Sequence, residues 1–282
     1  MINLRDKLQK GEITFGSWIT LGHTSIAEIM ASAGFDWLVV DMEHSAITLD
    51  KTQQLIQIIE LCGVIPLVRV GENNPVLIKR VMDTGAHGVI VPMVNTKNDA
   101  VKAVNAVKYP PVGTRGVGLA RAQGYGFEFE KYKNWINKGS VVIVQIEHIE
   151  AINNLEGILS VEGVDGSIIG PYDLSGSLDK PGNFEDSKVK EAIAHYEEVC
   201  CKMKKTMGFH VVQPSVEKSL QYKNAGYTFI AIGLDTLYLG EKCREVLGKV
   251  KAKSSKFKAQ SSKLKAQSSK QKVQSSKGKG EE

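Results

Sequence analysis

WLVVDMEH (37–44), TLDKTQQLIQIIELCG (48–63) and IPLVRV (65–70) decide the fold. The first is apolar throughout before it turns acidic, as a strand buried on both faces must be. The second repeats its apolar residues at helical period and stops at a glycine. The third is another buried strand. Strand, helix and strand in this order demand two parallel strands joined by a right-handed crossover.

Outward from this unit the pattern recurs. Strands are expected at 13–20, 88–94, 141–147, 166–173, 206–212 and 229–235, with helical patterns such as TSIAEIMASAG, PVLIKRVMDTG and DSKVKEAIAHYEEVCCKMKK between them. Eight strands in a chain of this length match a (β/α)8 TIM barrel better than an open doubly wound sheet. GSWITLG, after the first strand, lacks the GxGxxG of a dinucleotide-binding turn. The glycine-rich connection within 95–140, containing KYPPVGTRGVGLARAQGYGFEFEKY, is longer than a barrel needs and reads as a lid or a subunit contact.

The 282 residues carry a formal net charge of +5, but the charge is divided unevenly. Residues 249–282 hold eleven lysines against Glu281 and Glu282, a balance of +9, which leaves −4 for residues 1–248. The basic part is a seven-residue repeat (KAKSSKF, KAQSSKL, KAQSSKQ, KVQSSKG) with no apolar seam, so a barrel domain at 1–248 and a disordered tail at 249–282 are expected. Without interleaved aromatics the tail offers no specific nucleic-acid recognition. No apolar run reaches membrane-spanning length, and MINLRDKLQKGEITFG reads as a short amphipathic helix entering a strand rather than a signal segment. Cys62, Cys200, Cys201 and Cys243 lack metal or redox spacing and read as reduced thiols of a cytoplasmic protein.

Barrel enzymes carry their chemistry where strands end. That rule selects Trp18, Asp41, Glu43, His44, Arg69, Glu147, Asp173, His210 and Asp235. Glu147 and Asp173 close strands five and six and offer two hard oxygen ligands for a divalent cation; capping of the following helices is the plainer reading. His44 beside Asp41 suits a proton acceptor, or a loop histidine without catalytic duty. Arg69, flanked by valines, requires an anion, either from a substrate or from a neighbouring carboxylate. His23, His87, His148, His195 and His210 show no ligand spacing and read as structural. Lys79 and Lys102 fall on helical patterns, which argues against Schiff-base chemistry.

The ordered set FGSWIT, GFDWLVVDMEHS, PLVRV, GAHGVIVPMV, YPPVGTRGVG, VQIEHIEAINNLEGI and GPYDLSGSL, over roughly residues 3–247, resembles the HpcH/HpaI aldolase family. The resemblance implies a metal-dependent (class II) aldolase that cleaves 4-hydroxy-2-oxo acids to pyruvate and an aldehyde. It implies Mg²⁺, Mn²⁺ or Co²⁺ held by Glu147 and Asp173, His44 as catalytic histidine with Asp41 as its orienting partner, and Arg69 against the pyruvate keto oxygen. Gln145, Gly170, Pro171 and Tyr172 are then expected to line the pyruvate site, with Trp18 as its floor. A homo-oligomer, hexamer or trimer, with the last helix exchanged between subunits, is implied as well. The chain departs from the family at Ala46, where proline is frequent, and at Asp179, where glycine is common. Competing expectations are a lyase for malyl-CoA-like or citramalyl-CoA-like thioesters and a non-catalytic barrel with a basic binding tail.

Overall fold

Eight parallel strands hydrogen-bond in chain order and close on themselves in the computed structural model, which describes residues 3–277. They are β1 (Thr14–Ile19), β2 (Trp37–Asp41), β3 (Ile65–Arg69), β4 (Gly88–Val91), β5 (Val141–Ile146), β6 (Gly166–Ile169), β7 (Thr206–Val211) and β8 (Phe229–Leu234). The helices are α1 (Leu4–Gln9), α2 (Thr24–Ala31), α3 (Leu49–Leu61), α4 (Pro75–Asp83), α5 (Lys97–Val107), α6 (Phe129–Gly139), α7 (Ile149–Asn153), α8 (Leu155–Leu159), α9 (Pro171–Ser177), α10 (Ser187–Met203), α11 (Val216–Asn224) and α12 (Asp235–Lys277). The expected (β/α)8 TIM barrel is the architecture observed.

Side chains alternate between the barrel interior and the helix layer along each strand. Trp37 and Val39, Ile65 and Leu67, Val141 and Ile143, Ile168, and Phe229 and Ala231 fill the interior. Trp37 stacks on Phe229 with ring centroids 3.9 Å apart, and a Cβ on Gly16 would stand 2.1 Å from the Trp37 ring, so only glycine lets that indole lie flat. α1 closes the floor: Leu4 and Leu8 join the core, and Arg5 pairs with Asp165 at 2.6 Å. Beyond the pairs of β2, β3 and β5 the next interior step toward the C-terminal mouth is polar: Asp41, Arg69, and Gln145 followed by Glu147. The alternation that builds the core therefore also aims the chemistry.

Several strands end sooner than their apolar runs suggest. β2 stops at Asp41, β4 at Val91 and β6 at Ile169, and the chain then leaves the ladder for loops or for the first turn of α9, which Pro171 begins.

The long connection is not a lid. It lies at the N-terminal end of the barrel, where helices finish and strands begin. Arg115 pairs with Asp83 at the end of α4 (2.5 Å), Arg121 donates to the Thr84 carbonyl (2.9 Å) and pairs with Glu60, and Lys108 donates to Ser140 just before β5. Gly85, between α4 and β4, makes room for this clasp: a Cβ there would sit 2.1 Å from the Arg121 guanidinium. Val117, Leu119 and Phe127 stay exposed on it.

One compact unit ends at Thr236, and the helix from Leu237 belongs to a second. α12 runs to Lys277. Extending a helix already begun at Asp235 costs no new nucleus, and the repeat is rich in Lys, Ala and Gln with neither proline nor glycine between 249 and 277. No helix of the described residues is long and apolar enough to cross a membrane.

Candidate active site

Arg69 ends β3 directly opposite Asp41 in the β2–β3 register. The guanidinium takes both oxygens of that carboxylate, Nε to Oδ1 at 2.9 Å and Nη2 to Oδ2 at 2.7 Å, in the fork geometry that only arginine provides. Its remaining edge meets Glu43, Nη1 to Oε2 at 3.1 Å, although Oε2 is out of line for a hydrogen bond and has no hydrogen-bond partner among the described residues. One face of Trp18 lies under the guanidinium, 4.3 Å from its ring centroid.

Asp41 also accepts from the backbone N–H groups of Glu43 (3.0 Å) and His44 (3.3 Å), which folds the chain into a turn straight after β2. The pairing of Asp41 with the His44 imidazole, expected from the resemblance, is therefore not the one formed. Asp41 is saturated by Arg69 and by its own turn, and the His44 ring stands at the lip with its side chain 69% exposed, 3.9 Å from Glu43.

Glu147 follows β5 and is 3% exposed. Its Oε1 accepts from the Met93 N–H at 2.7 Å and its Oε2 from Gln145 Nε2. Met93 is at φ +50°, the left-handed region that a methionine adopts only under constraint; that turn is what directs its N–H at the carboxylate. Gly170 fits the same corner, since a Cβ there would be 2.9 Å from the Glu147 Cβ. Asp173 lies in the first turn of α9, which begins with Pro171 and has no side-chain N-cap. A carboxylate is favoured at that helix end.

Trp18, His44, Arg69, Gln145, Gly170, Pro171, Tyr172 and Asp173 all line one cavity of about 520 Å³ at the C-terminal mouth. Asp41, Glu43 and Glu147 stand behind that wall. The residues selected at the strand ends, Asp235 excepted, are thus in or directly behind the cavity wall. Tyr172 is at its rim, 61% exposed, against Phe184. His210, read as structural from the sequence, is a wall of this cavity too, stacked on Trp18 at 5.0 Å. Interior parity on β7 was the signal that could have found it. Met93 was missed because its contribution is a backbone N–H. Asp235 is elsewhere engaged: it accepts from Thr20 Oγ1 and from the N–H groups of Thr20 and Leu21, and fastens the β8–β1 seam.

The electrostatics are one-sided. Burial pushes the Glu43 carboxyl up to about 7, opposed by Arg69 and assisted by Glu147, Asp41 and Asp173. Burial also raises Glu147, and Asp173 adds to the shift while Gln145 and Met93 oppose it. Four carboxylates thus act on one another around a single guanidinium. Hard oxygens in excess of local positive charge fit a divalent cation. No cluster of three His, Cys, Asp or Glu in ligating arrangement occurs among the described residues. The fit is to a cation held by two carboxylates and completed from outside the chain, not to an all-protein cage.

An arginine-anchored, carboxylate-rich pocket at the C-terminal mouth of a (β/α)8 barrel is where an enzyme of this fold carries its chemistry. The HpcH/HpaI aldolase/citrate lyase family profile matches residues 14–240, and the chain belongs to that family. It is 36% identical over 250 residues to 2-keto-3-deoxy-L-rhamnonate aldolase of Escherichia coli, covering 88% of this chain and 92% of the relative. A solved HpcH/HpaI aldolase/citrate lyase family protein from Burkholderia cenocepacia superposes with a TM-score of 0.84 at 32% identity, over 89% of this chain and 100% of that one. The HpcH/HpaI aldolase from Desulfitobacterium hafniense gives 0.81 at 28%, over 89% and 97%. The chain is accordingly a carbon–carbon lyase of the aldolase type.

Proposed function

We propose that this enzyme cleaves 4-hydroxy-2-oxo acids to pyruvate and an aldehyde. The observation that carries the reading is the convergence of Arg69, Gln145, Glu147 and the Gly170–Asp173 turn at one cavity. The similarity to an aldolase for 2-keto-3-deoxy-L-rhamnonate supports the 2-oxo acid class.

Glu147 and Asp173 are the residues that would hold a divalent cation (Mg²⁺, Mn²⁺ or Co²⁺), and such a cation supplies a Lewis acid for the 2-oxo acid end of the substrate. Arg69 contributes a fixed positive charge where the pyruvate enolate develops, and Asp41 fixes the plane of its guanidinium so that no reorganisation is needed when the C3–C4 bond breaks. Trp18 supports the guanidinium from below, and its buried Nε1–H has no hydrogen-bond partner among the described residues, leaving a donor for an acidic substrate. His44, open at the lip, takes the proton of the 4-hydroxyl as the C3–C4 bond breaks, and the enolate carbon takes up a proton, from that imidazolium or from water, to leave as pyruvate.

The enzyme acts as a homo-oligomer in this reading. Leu239, Val246, Leu247 and Val250 recur at helical spacing on α12 and are exposed in the single chain, which suits a last helix exchanged between copies. Sedimentation velocity tests it, with a monomer as the contrary result. The aldolase reading is tested by pyruvate release from 4-hydroxy-2-oxo acids with and without chelator. Release that survives complete chelation would refute the metal assignment, and no release from any such acid would refute the activity.

A further inference from the structure

His210 is the last interior-facing residue of β7, and its geometry settles which way its two nitrogens face chemically. Nε2 lies 3.0 Å from the Gly233 carbonyl oxygen. A carbonyl can only accept, so Nε2 carries the hydrogen, and in the neutral ring Nδ1 is left as a lone-pair acceptor. Burial holds the ring neutral, pushing it down to about 4, and Arg69 acts in the same direction. Stacking on Trp18, with ring planes within 12°, fixes the imidazole in place. Among the described residues no donor meets Nδ1, and the ring forms part of the cavity wall.

A half-buried acceptor of this kind is matched to a donor brought by the ligand or by water. The 2-oxo acid end of the proposed substrate brings only acceptors, its carboxylate and keto oxygens, and those suit Arg69 and Trp18 Nε1. Donors are found only on the aldehyde side, as hydroxyls. The 4-hydroxyl gives up its proton in the reaction, and a ring this hard to protonate is unsuited to receive it. The next hydroxyl along remains.

We propose that His210 is a specificity-determining residue whose Nδ1 accepts a hydrogen bond from the substrate's 5-hydroxyl, so that the enzyme selects hydroxylated, sugar-derived 2-oxo acids over their 5-deoxy counterparts. This rests on the aldolase reading above. It assigns to the β7 wall of the cavity a role in reading the aldehyde fragment.

The test compares two six-carbon acids that differ in one oxygen, 4,5-dihydroxy-2-oxohexanoate and 4-hydroxy-2-oxohexanoate. The quantity read is the ratio of their kcat/KM values. The unmodified enzyme should favour the dihydroxy acid by about tenfold, the scale of one hydrogen bond to a fixed partner. His210→Phe keeps a ring against Trp18 but has no acceptor, and should bring the ratio close to one. His210→Asn, with an amide oxygen in reach, should restore part of it. A ratio near one in the unmodified enzyme, or one that His210→Phe leaves intact because both acids are slowed equally or not at all, overturns the assignment. A second readout does not depend on turnover: the Nδ1 resonance of ¹⁵N-histidine-labelled enzyme should shift with the dihydroxy acid and not with the deoxy acid. If neither acid yields pyruvate, the aldolase reading falls, and this resonance still decides for or against His210.

Discussion

Arg69 and Asp41 are register partners on adjacent strands, joined by two parallel N–H···O bonds of 2.9 and 2.7 Å. The carboxylate is nearly inaccessible, and it holds the guanidinium plane in one orientation. Arg69→Lys preserves the charge but loses the fork, so kcat for pyruvate release should fall by about a hundredfold, the scale on which loss of a preorganised charge acts. Asp41→Asn should give a smaller loss in kcat with the metal requirement intact. Steady-state kinetics on both variants measure the difference.

Glu147 draws on a backbone donor that sequence comparison of side chains does not reveal. Met93→Gly keeps the N–H and relaxes the left-handed backbone, so activity should be retained and the melting temperature unchanged or slightly raised. Met93→Pro removes the N–H and imposes an incompatible φ, so divalent-cation affinity measured by calorimetry should drop at least tenfold. Equal behaviour of the two variants would show that the N–H is idle.

The raised Glu43 carboxyl makes a signed prediction about pH. Its ordinary value is 4.5 and its folded value about 7, so between those limits the folded chain holds a proton that the unfolded chain has released. Stability of the cation-free enzyme should therefore decline as pH rises through that window and show no further dependence on this group above it. Thermal melts in chelator from about pH 5 to about pH 8 measure the slope, and Glu43→Gln should flatten it.

Residues 249–282 lie outside the span that matches the family, residues 14–240. Removing residues 249–282 should leave kcat/KM for pyruvate release unaltered while lowering the salt needed to elute the protein from a polyanionic resin. A collapse of kcat/KM would place the tail in the active assembly.

The barrel and the positions of Arg69, Gln145 and Glu147 were legible because one rule, two-residue alternation along a buried strand, governs both core and mouth. Asp173 was found for the right neighbourhood but on the wrong element, since β6 ends at Ile169 and α9 has already begun. The partner of Asp41 was misread because a sequence shows His44 three residues away but not Arg69 across the ladder. Asp179 illustrates the opposite case: it departs from the common glycine and is at φ +60°, the left-handed region that favours glycine there. His210 was selected as a strand end and then set aside because lone histidines carry no ligand spacing.

The clasp of Arg121, Glu60 and Thr84 ties the glycine-rich connection to the end of the barrel opposite Arg69. Durability and turnover are thereby written into different ends of one molecule. Changes in residues 108–128 should alter how long the enzyme survives heating before they alter what it cleaves, and a designer could graft or trim there without disturbing the reaction.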